Sequence, residues 1–208
     1  MPETRDPALL AGRGYPDYEA ITPEQVETLI PQLLQRLSDQ FSALETSLDA
    51  ALAAGTPLGW DTVMPPLHRI GEQLRWSWGV VTHLNAVCNS PELRDAHASQ
   101  QADVVRFSNR LGQSRSLHQA LEALQQRPSE PLDHTQQRIL ASELLSMQQR
   151  GVGLRGDSQA AFNAASERLA ELSTQFGNHV LDATQAWHLV VEDPSRIAGL
   201  PERAREAL

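Results

Sequence analysis

The sequence has no lysine, a single cysteine and no long hydrophobic run. All 17 basic residues are arginines, and they stand against 26 acidic residues, which gives a net charge of −9. A protein that binds DNA or RNA needs clustered positive charge to neutralise phosphates, so nucleic acid is not expected as a partner. A helix that crosses a bilayer needs about 20 consecutive apolar residues, and the absence of such a run predicts no membrane partner.

The single cysteine excludes an internal disulfide and a cluster of thiolate metal ligands. Cys88 lies in the apolar stripe of a predicted helix, which favours a small buried side chain over a reactive thiol. The stretch from Met1 to Asp6 lacks the apolar segment of a secretory signal. Together these features predict a cytoplasmic protein whose 208 residues can bury a core without cross-links.

Apolar residues recur every three or four positions along most of the chain, which predicts an all-α fold, a bundle of long antiparallel helices. The first helix is predicted to start at the cap Thr22, with Gln25 placed to close a capping box. Gly55 is predicted to end it, and Pro31 predicts a kink or a restart near Ile30. The stripe comprises Val26, Ile30, Leu33, Leu37, Phe41, Leu44, Leu48 and Leu52.

Five more helices are predicted to follow, each from a residue whose side chain can accept a hydrogen bond from a free backbone N–H. These starting residues are Asp61, Ser90, Ser114, Asp133 and Asp157. The last of these helices has the cleanest periodicity, so it is expected to present one continuous apolar face. That face comprises Phe162, Ala165, Leu169, Leu172, Phe176, Val180, Ala183 and Trp187.

The pattern changes at the end of this long helix. A β-branched run at positions 189–191 predicts a short extended segment near residues 188–192, although no earlier stretch is an obvious strand partner. Another short helix is predicted to begin after Leu200. The expected organisation is an N-terminal arm at 1–20, a helical domain at 21–187, and the truncated start of a following region at 188–208.

Two histidines near the end of the long helix, His179 and His188, raise the question of a metal site. No two of the seven histidines are four positions apart and none precedes a glutamate, so the H-E-x-x-H pattern of zinc peptidases is absent. No glutamate stands three positions before a histidine, which excludes the di-iron pattern of helical bundles. His179 with Asp182 is interpreted as a surface or capping contact. No catalytic, cofactor-binding or metal-ligating residue is predicted in this chain.

Aromatic residues are few, yet three of the four tryptophans belong to the second predicted helix. Trp60, Trp76 and Trp78 could form an aromatic platform for a peptide. Packing in the core or at helix junctions is favoured, because large aromatic side chains most often contribute to cores.

Five stretches of the chain resemble the N-terminal part of the thimet-oligopeptidase family of zinc metallopeptidases, in its oligopeptidase A type. They are spread over nearly all of the 208 residues, and they are long segments of family-specific sequence rather than short motifs. The stretches are "ITPEQV", "GWDTVMPPL", "LRWSWGVVTHLNAVCNSPELRDAH", "LAELSTQFGNHVLDATQAW" and "IAGLPERAREAL".

The resemblance implies the helical N-terminal region of a longer enzyme that hydrolyses short peptides inside a channel. In that family, the zinc is held by H-E-x-x-H and a further glutamate in the C-terminal part. The resemblance therefore implies that this chain forms part of the channel wall, is inactive alone, and has short peptides and the missing C-terminal catalytic region as partners. Zinc would belong to the full-length enzyme. The alternative is a free-standing helical adaptor that binds peptides or a protein without catalysis.

Overall fold

The computed structural model describes residues 7–206, and among these it contains helices and no β-strand. The predicted all-α bundle is confirmed. No helix within residues 7–206 combines the length and the apolar character that crossing a bilayer requires. The seven α-helices are α1 (Pro23–Ala53), α2 (Trp60–Val87), α3 (Pro91–Gly112), α4 (Arg115–Gln126), α5 (His134–Gln149), α6 (Gly156–Ala186) and α7 (Glu202–Glu206).

The chain divides into two compact units, the first ending at Ser173 and the second beginning at Thr174. The core lies in the first unit, where α1 packs against α2, α3 and α4. The predicted stripe of α1 is buried from Val26 to Leu48, and Leu52 is half-buried. Phe41, in the middle of the stripe, is fully buried. The three-and-four spacing therefore identified the central helix of the core correctly.

α1 runs without interruption through Pro31, so the predicted restart near Ile30 does not occur. Proline removes one intrahelical hydrogen bond. Ile30 and Leu33, on either side of it, are both fully buried, and the burial of these flanking side chains offsets that loss. The helix ends as predicted at Gly55, whose φ is +65°. The N–H of Thr56 donates to Ala51 O at 3.0 Å, which completes a glycine C-cap.

Most of the predicted helix starts are confirmed by their hydrogen bonds, although three details differ. α6 starts at Gly156, so Asp157 lies within its first turn rather than at its N-cap. Thr22 Oγ1 accepts from the N–H of Gln25 at 3.3 Å. The capping box is not closed, because the side-chain oxygen of Gln25 is buried without a partner among the described residues. α2 is capped at Gly59 rather than Asp61, since the hydroxyl of Thr62 accepts from the Gly59 N–H at 3.3 Å and the helix starts earlier.

α3 and α4 follow one another along α1 in the same direction. Arg110, near the end of α3, forms an ion pair with Glu45 at 3.1 Å. Further on, Ser114 donates to the other carboxylate oxygen of Glu45 at 2.6 Å, and Ser116 donates to Asp49 at 3.0 Å. Since later residues of α3 and α4 meet later residues of α1, these helices are parallel. α2, between α1 and α3 in the chain, runs antiparallel to both.

The described part of the predicted N-terminal arm belongs to the core of the first unit. Leu9 is fully buried and Leu10 is nearly so, in contact with α1 and α2. Gln73 on α2 donates to Leu10 O at 3.1 Å, and the indole N–H of Trp76 donates to Gly14 O at 3.3 Å. The arm is therefore held by apolar burial and by two side chains of α2.

Candidate functional site

α6 has the predicted apolar face, yet none of its residues, all of which the structure describes, is buried. In the second unit the face carries Phe176 and Val180, which are 72% and 49% exposed, and Trp187 follows at 72%. Leu189 and Val190, in the segment that follows α6, are also exposed. We name these five residues the unit 2 apolar surface. Soluble proteins rarely expose large apolar side chains together unless they form an interface.

The α6 residues of the first unit are held mainly by polar side chains. Gln113, just after α3, donates to Asn163 at 2.8 Å and accepts from Gln159 at 2.8 Å. Arg106 pairs with Glu167 at 3.2 Å. Leu169 and Leu172 are exposed on the same helix. The apolar face of α6 therefore contributes little to the core.

Residues 187–193 form neither a helix nor a strand, so the predicted segment at 188–192 lies beside no strand partner among the described residues. Asp193 then starts a 3-10 helix, Pro194–Ile197, by accepting from the N–H of Ser195 at 2.9 Å. The Ser195 hydroxyl also donates to Asp193 at 2.7 Å, and this hydrogen bond, together with that from the Ser195 N–H, lowers the pKa of the Asp193 carboxyl. α7 follows where a short helix was predicted.

The histidines considered as metal ligands are separated in the structure. His179 is exposed on α6, and His188 is exposed just after that helix. Among residues 7–206, no three side chains of histidine, cysteine, aspartate or glutamate come together in a way that could hold a metal ion. The histidines considered as ligands are thus not part of a metal-binding group among these residues.

Cys88 is a correction to the sequence analysis, because it is exposed rather than buried. It occupies the C-cap of α2, and its N–H donates to Leu84 O at 2.8 Å. At this position the helix ends, so the apolar stripe that runs through Val81 and Leu84 no longer faces the core. Leu84 is the last buried residue of this stripe, and Cys88, four positions later, lies beyond the part of α2 that packs.

The three tryptophans pack as predicted. Trp60, Trp76 and Trp78 are half-buried against the core, and they do not form a free aromatic platform. Trp78 stacks on His97 of α3, with ring centroids 4.6 Å apart and planes inclined by 23°. His97 is itself only 3% exposed, and burial lowers its pKa.

His97 was missed as a core residue, although its spacing could have identified it. It follows Leu93 by four positions and precedes Val104 by seven, so it continues the buried stripe of α3 toward the N-terminus. Gln100 lies on the same face and is also buried. The sequence does contain a signal for this burial, because His97 is a polar residue at a position where the spacing predicts an apolar one.

A cleft of about 400 Å³ opens in the first unit between α2, the junction of α3 and α4, and α5. Leu67, Gly71 and Arg75 line it from successive turns of α2. Glu143 and Met147 line it from successive turns of α5, and Arg150 lines it from the position just after that helix. The cleft thus has an apolar part and charges of both signs. Sequence reasoning did not find it, because residues 67–75 and 143–150 are distant in the chain.

Comparison with known proteins identifies the relatives of this chain. Residues 30–159 match the family model of the neurolysin/thimet oligopeptidase N-terminal domain. The match begins within α1 and ends in the first turn of α6. It therefore covers the helices that build the core of the first unit.

Oligopeptidases A align over nearly the whole chain. The probable cytosolic oligopeptidase A of Arabidopsis thaliana is 31% identical over 197 residues, which are 94% of this chain and 27% of that protein. The oligopeptidase A of Salmonella typhimurium is 32% identical over 200 residues, and that of Escherichia coli is 31% identical over 200 residues. Each of these two alignments covers 96% of this chain and 28% of the relative. The chain thus spans about a quarter of the length of the curated relatives it matches.

Proposed function

The chain belongs to the neurolysin/thimet oligopeptidase family through its N-terminal domain, and from this membership we propose that it is the helical, non-catalytic part of a zinc oligopeptidase. In the proposed enzyme, these helices form part of the wall of a substrate channel. The wall admits short, flexible peptides and excludes folded proteins. The peptide bond is cleaved by residues of a C-terminal region that this chain does not contain, and zinc is bound there.

One observation carries this proposal: nearly the whole chain aligns, yet with only about a quarter of each oligopeptidase A relative. The sequence contains no H-E-x-x-H, and the described residues group no three metal-binding side chains. The chain therefore supplies shape and surface rather than the hydrolytic centre.

The unit 2 apolar surface supports the same proposal. Phe176 and Trp187 are each 72% exposed, on a helix and segment that bury no side chain of their own. We propose that the C-terminal region of the enzyme covers this surface. The relatives are longer by about three quarters of their length, which provides the polypeptide for such a contact.

Hydrolysis of a quenched fluorescent peptide tests the catalytic part of the proposal. The purified chain, supplied with zinc, is expected to show no hydrolysis, whereas the oligopeptidase A of Escherichia coli serves as a positive control. Hydrolysis by the purified chain that a chelator abolishes would contradict the proposal.

The coding sequence provides a second, independent test. We expect the reading frame to continue past Leu208 into a region that encodes H-E-x-x-H. A stop codon at that point would favour the free-standing adaptor that binds peptides without catalysis.

A further inference from the structure

The cleft between α2 and α5 is open because glycine occupies the middle of its α2 wall. No atom lies within 4 Å of a Cβ placed on Gly71, so a side chain there would project into empty space. Glycine inside a helix is unfavourable relative to almost any other residue. Gly71 therefore keeps the cleft open at a cost to the stability of α2.

The opposite wall is shaped by a second glycine. A Cβ on Gly112 would lie 2.5 Å from Cδ of Arg150, so only glycine lets the Arg150 side chain cross the end of α3. Arg150 also lines the cleft. The close approach of this side chain to the backbone of Gly112 holds a positive charge at the edge of the cavity.

The charged side chains around the cleft form no ion pairs with one another. Glu72 and Glu143 bring two negative charges, and Arg75 and Arg150 bring two positive charges. None of these four side chains takes part in an ion pair among residues 7–206. The rest of the lining combines the apolar side chains of Leu67, Leu111, Leu117 and Met147 with the polar side chains of His68 and Ser146.

We propose that this cleft binds a small zwitterion with an apolar side chain, either a free amino acid or a dipeptide. The carboxylate of the ligand is recognised by the arginines and its ammonium group by the glutamates. The apolar side chain lies against Leu67 and Met147. A volume of about 400 Å³ is at the small end of the range for ligand pockets, roughly 300–1,000 Å³, which suits a ligand of this size.

This proposal is independent of the peptidase function, because it concerns binding to the first unit alone and its test does not measure hydrolysis. Leucine and alanyl-leucine are titrated separately into the isotope-labelled chain, and the backbone amide signals are followed by NMR. We expect shifts at Gly71 and at the α5 residues of the cleft, with a Kd of about 1 mM, as befits a ligand of so few atoms. The ligand with the lower Kd shows whether the cleft takes a free amino acid or a dipeptide.

Two glycine substitutions form a matched pair for this test. Gly71→Leu fills the cleft, whereas Gly79→Leu lies two turns further along α2, where an added Cβ likewise meets no atom within 4 Å but does not face the cleft. Both replacements favour the helix, so both variants are expected to fold. Gly71→Leu should raise the Kd by roughly tenfold or more, and Gly79→Leu should leave it unchanged.

The contribution of charge is tested with N-acetyl-alanyl-leucine amide, which lacks both terminal charges, and with Arg75→Gln. The blocked compound should not bind, and Arg75→Gln should weaken binding by about two- to fivefold, as expected for an exposed charge. The proposal is overturned if neither zwitterion shifts the cleft signals up to its solubility limit. Equal binding of the blocked compound, or unchanged binding to Gly71→Leu, would overturn it as well.

Discussion

His97 is a polar residue at a position where its neighbours in the buried stripe of α3 are mostly apolar. It lies in the apolar stripe of α3, is 3% exposed and stacks on Trp78. Its Nδ1 has no hydrogen-bond partner among the described residues. A buried imidazole without a charged partner is favoured in its neutral form, which is why burial lowers its pKa below the usual 6.5.

The lowered pKa of His97 predicts a pH dependence of stability. In the unfolded chain this histidine takes up a proton near pH 6.5, whereas in the folded chain it does so only at lower pH. The unfolded state therefore binds more protons in that window, and the free energy of unfolding should fall as the pH drops below 6.5. Urea unfolding between about pH 8 and about pH 5 measures this slope.

His97→Gln should have a smaller slope than the wild type, since glutamine does not titrate. His134→Gln, at an exposed position on α5, is the matched control and should keep the wild-type slope. An unchanged slope in His97→Gln would show that another group causes the pH dependence.

Phe41 is the residue on which the core depends most directly. It is fully buried on α1, and the guanidinium of Arg110 lies 5.3 Å from its ring centroid. Phe41→Ala should lower the free energy of unfolding by about 3–5 kcal/mol, because it leaves a cavity in the core. Chemical denaturation measures the loss. A change below about 1 kcal/mol would contradict the placement of Phe41 at the centre of the core.

At the scale of helices, the N-cap residues differ in whether they also bind a second helix. Asp133 closes an exposed capping box with Gln136, in which the two hydrogen bonds measure 2.8 and 2.9 Å. Ser114 is 6% exposed. It accepts from the N–H of Leu117 at 3.2 Å and donates to Glu45 of α1 at 2.6 Å. One serine therefore both starts α4 and attaches it to the central helix.

This difference predicts the effect of removing each cap. Asp133→Ala should cost about 1 kcal/mol, the usual value for an exposed N-cap. Ser114→Ala should cost about 2 kcal/mol, because it also leaves a partly buried carboxylate without one of its donors. Thermal and urea unfolding of the two variants provide the comparison. Equal losses would mean that the contact with Glu45 adds nothing to the stability.

α6 is amphipathic, yet its apolar face is not buried. Phe176→Ser should change the stability of the isolated chain by less than about 0.5 kcal/mol, because the side chain is 72% exposed. The same substitution should reduce the binding of a hydrophobic dye such as ANS, because it removes part of the unit 2 apolar surface. Gln185→Ser, at an exposed polar position further along α6 and on its opposite face, should leave dye binding unchanged.

At the scale of the whole molecule, the two units differ in what holds them together. The first unit contains the whole buried core. The second contains the end of α6, an irregular segment and α7, and none of the residues in these two helices is buried. Local stability follows the amount of buried apolar surface, so the two units should open independently.

Amide hydrogen exchange measures this difference. In the isolated chain, the amides of α1 around Phe41 should exchange only through global unfolding. The amides of residues 176–186 should exchange much faster, through local opening. Comparable protection of both regions would show that the second unit is stabilised by contacts that its exposed side chains do not reveal.

Helix positions were predicted well because their signals are local. The stripe of α1, the caps Thr22, Ser90 and Asp133, and the glycine cap at Gly55 depend on residues at most a few positions apart. The absence of H-E-x-x-H is equally a property of the chain itself. The family resemblance was also present in the sequence and is confirmed by the match to residues 30–159.

Burial could not be predicted in the same way, because a stripe states which face of a helix is apolar and not whether another surface covers it. The apolar faces of α1 and α6 have similar spacing, yet only that of α1 is buried. Cys88 and His97 show the same limit in single residues, one exposed at the end of a stripe and the other buried within one. The cleft beside Gly71 exists only because α2 and α5 lie close together. The sequence by itself determined the helices and the missing zinc motif, and the tertiary structure decided which apolar faces found a partner, since burial depends on contacts between residues far apart in the chain.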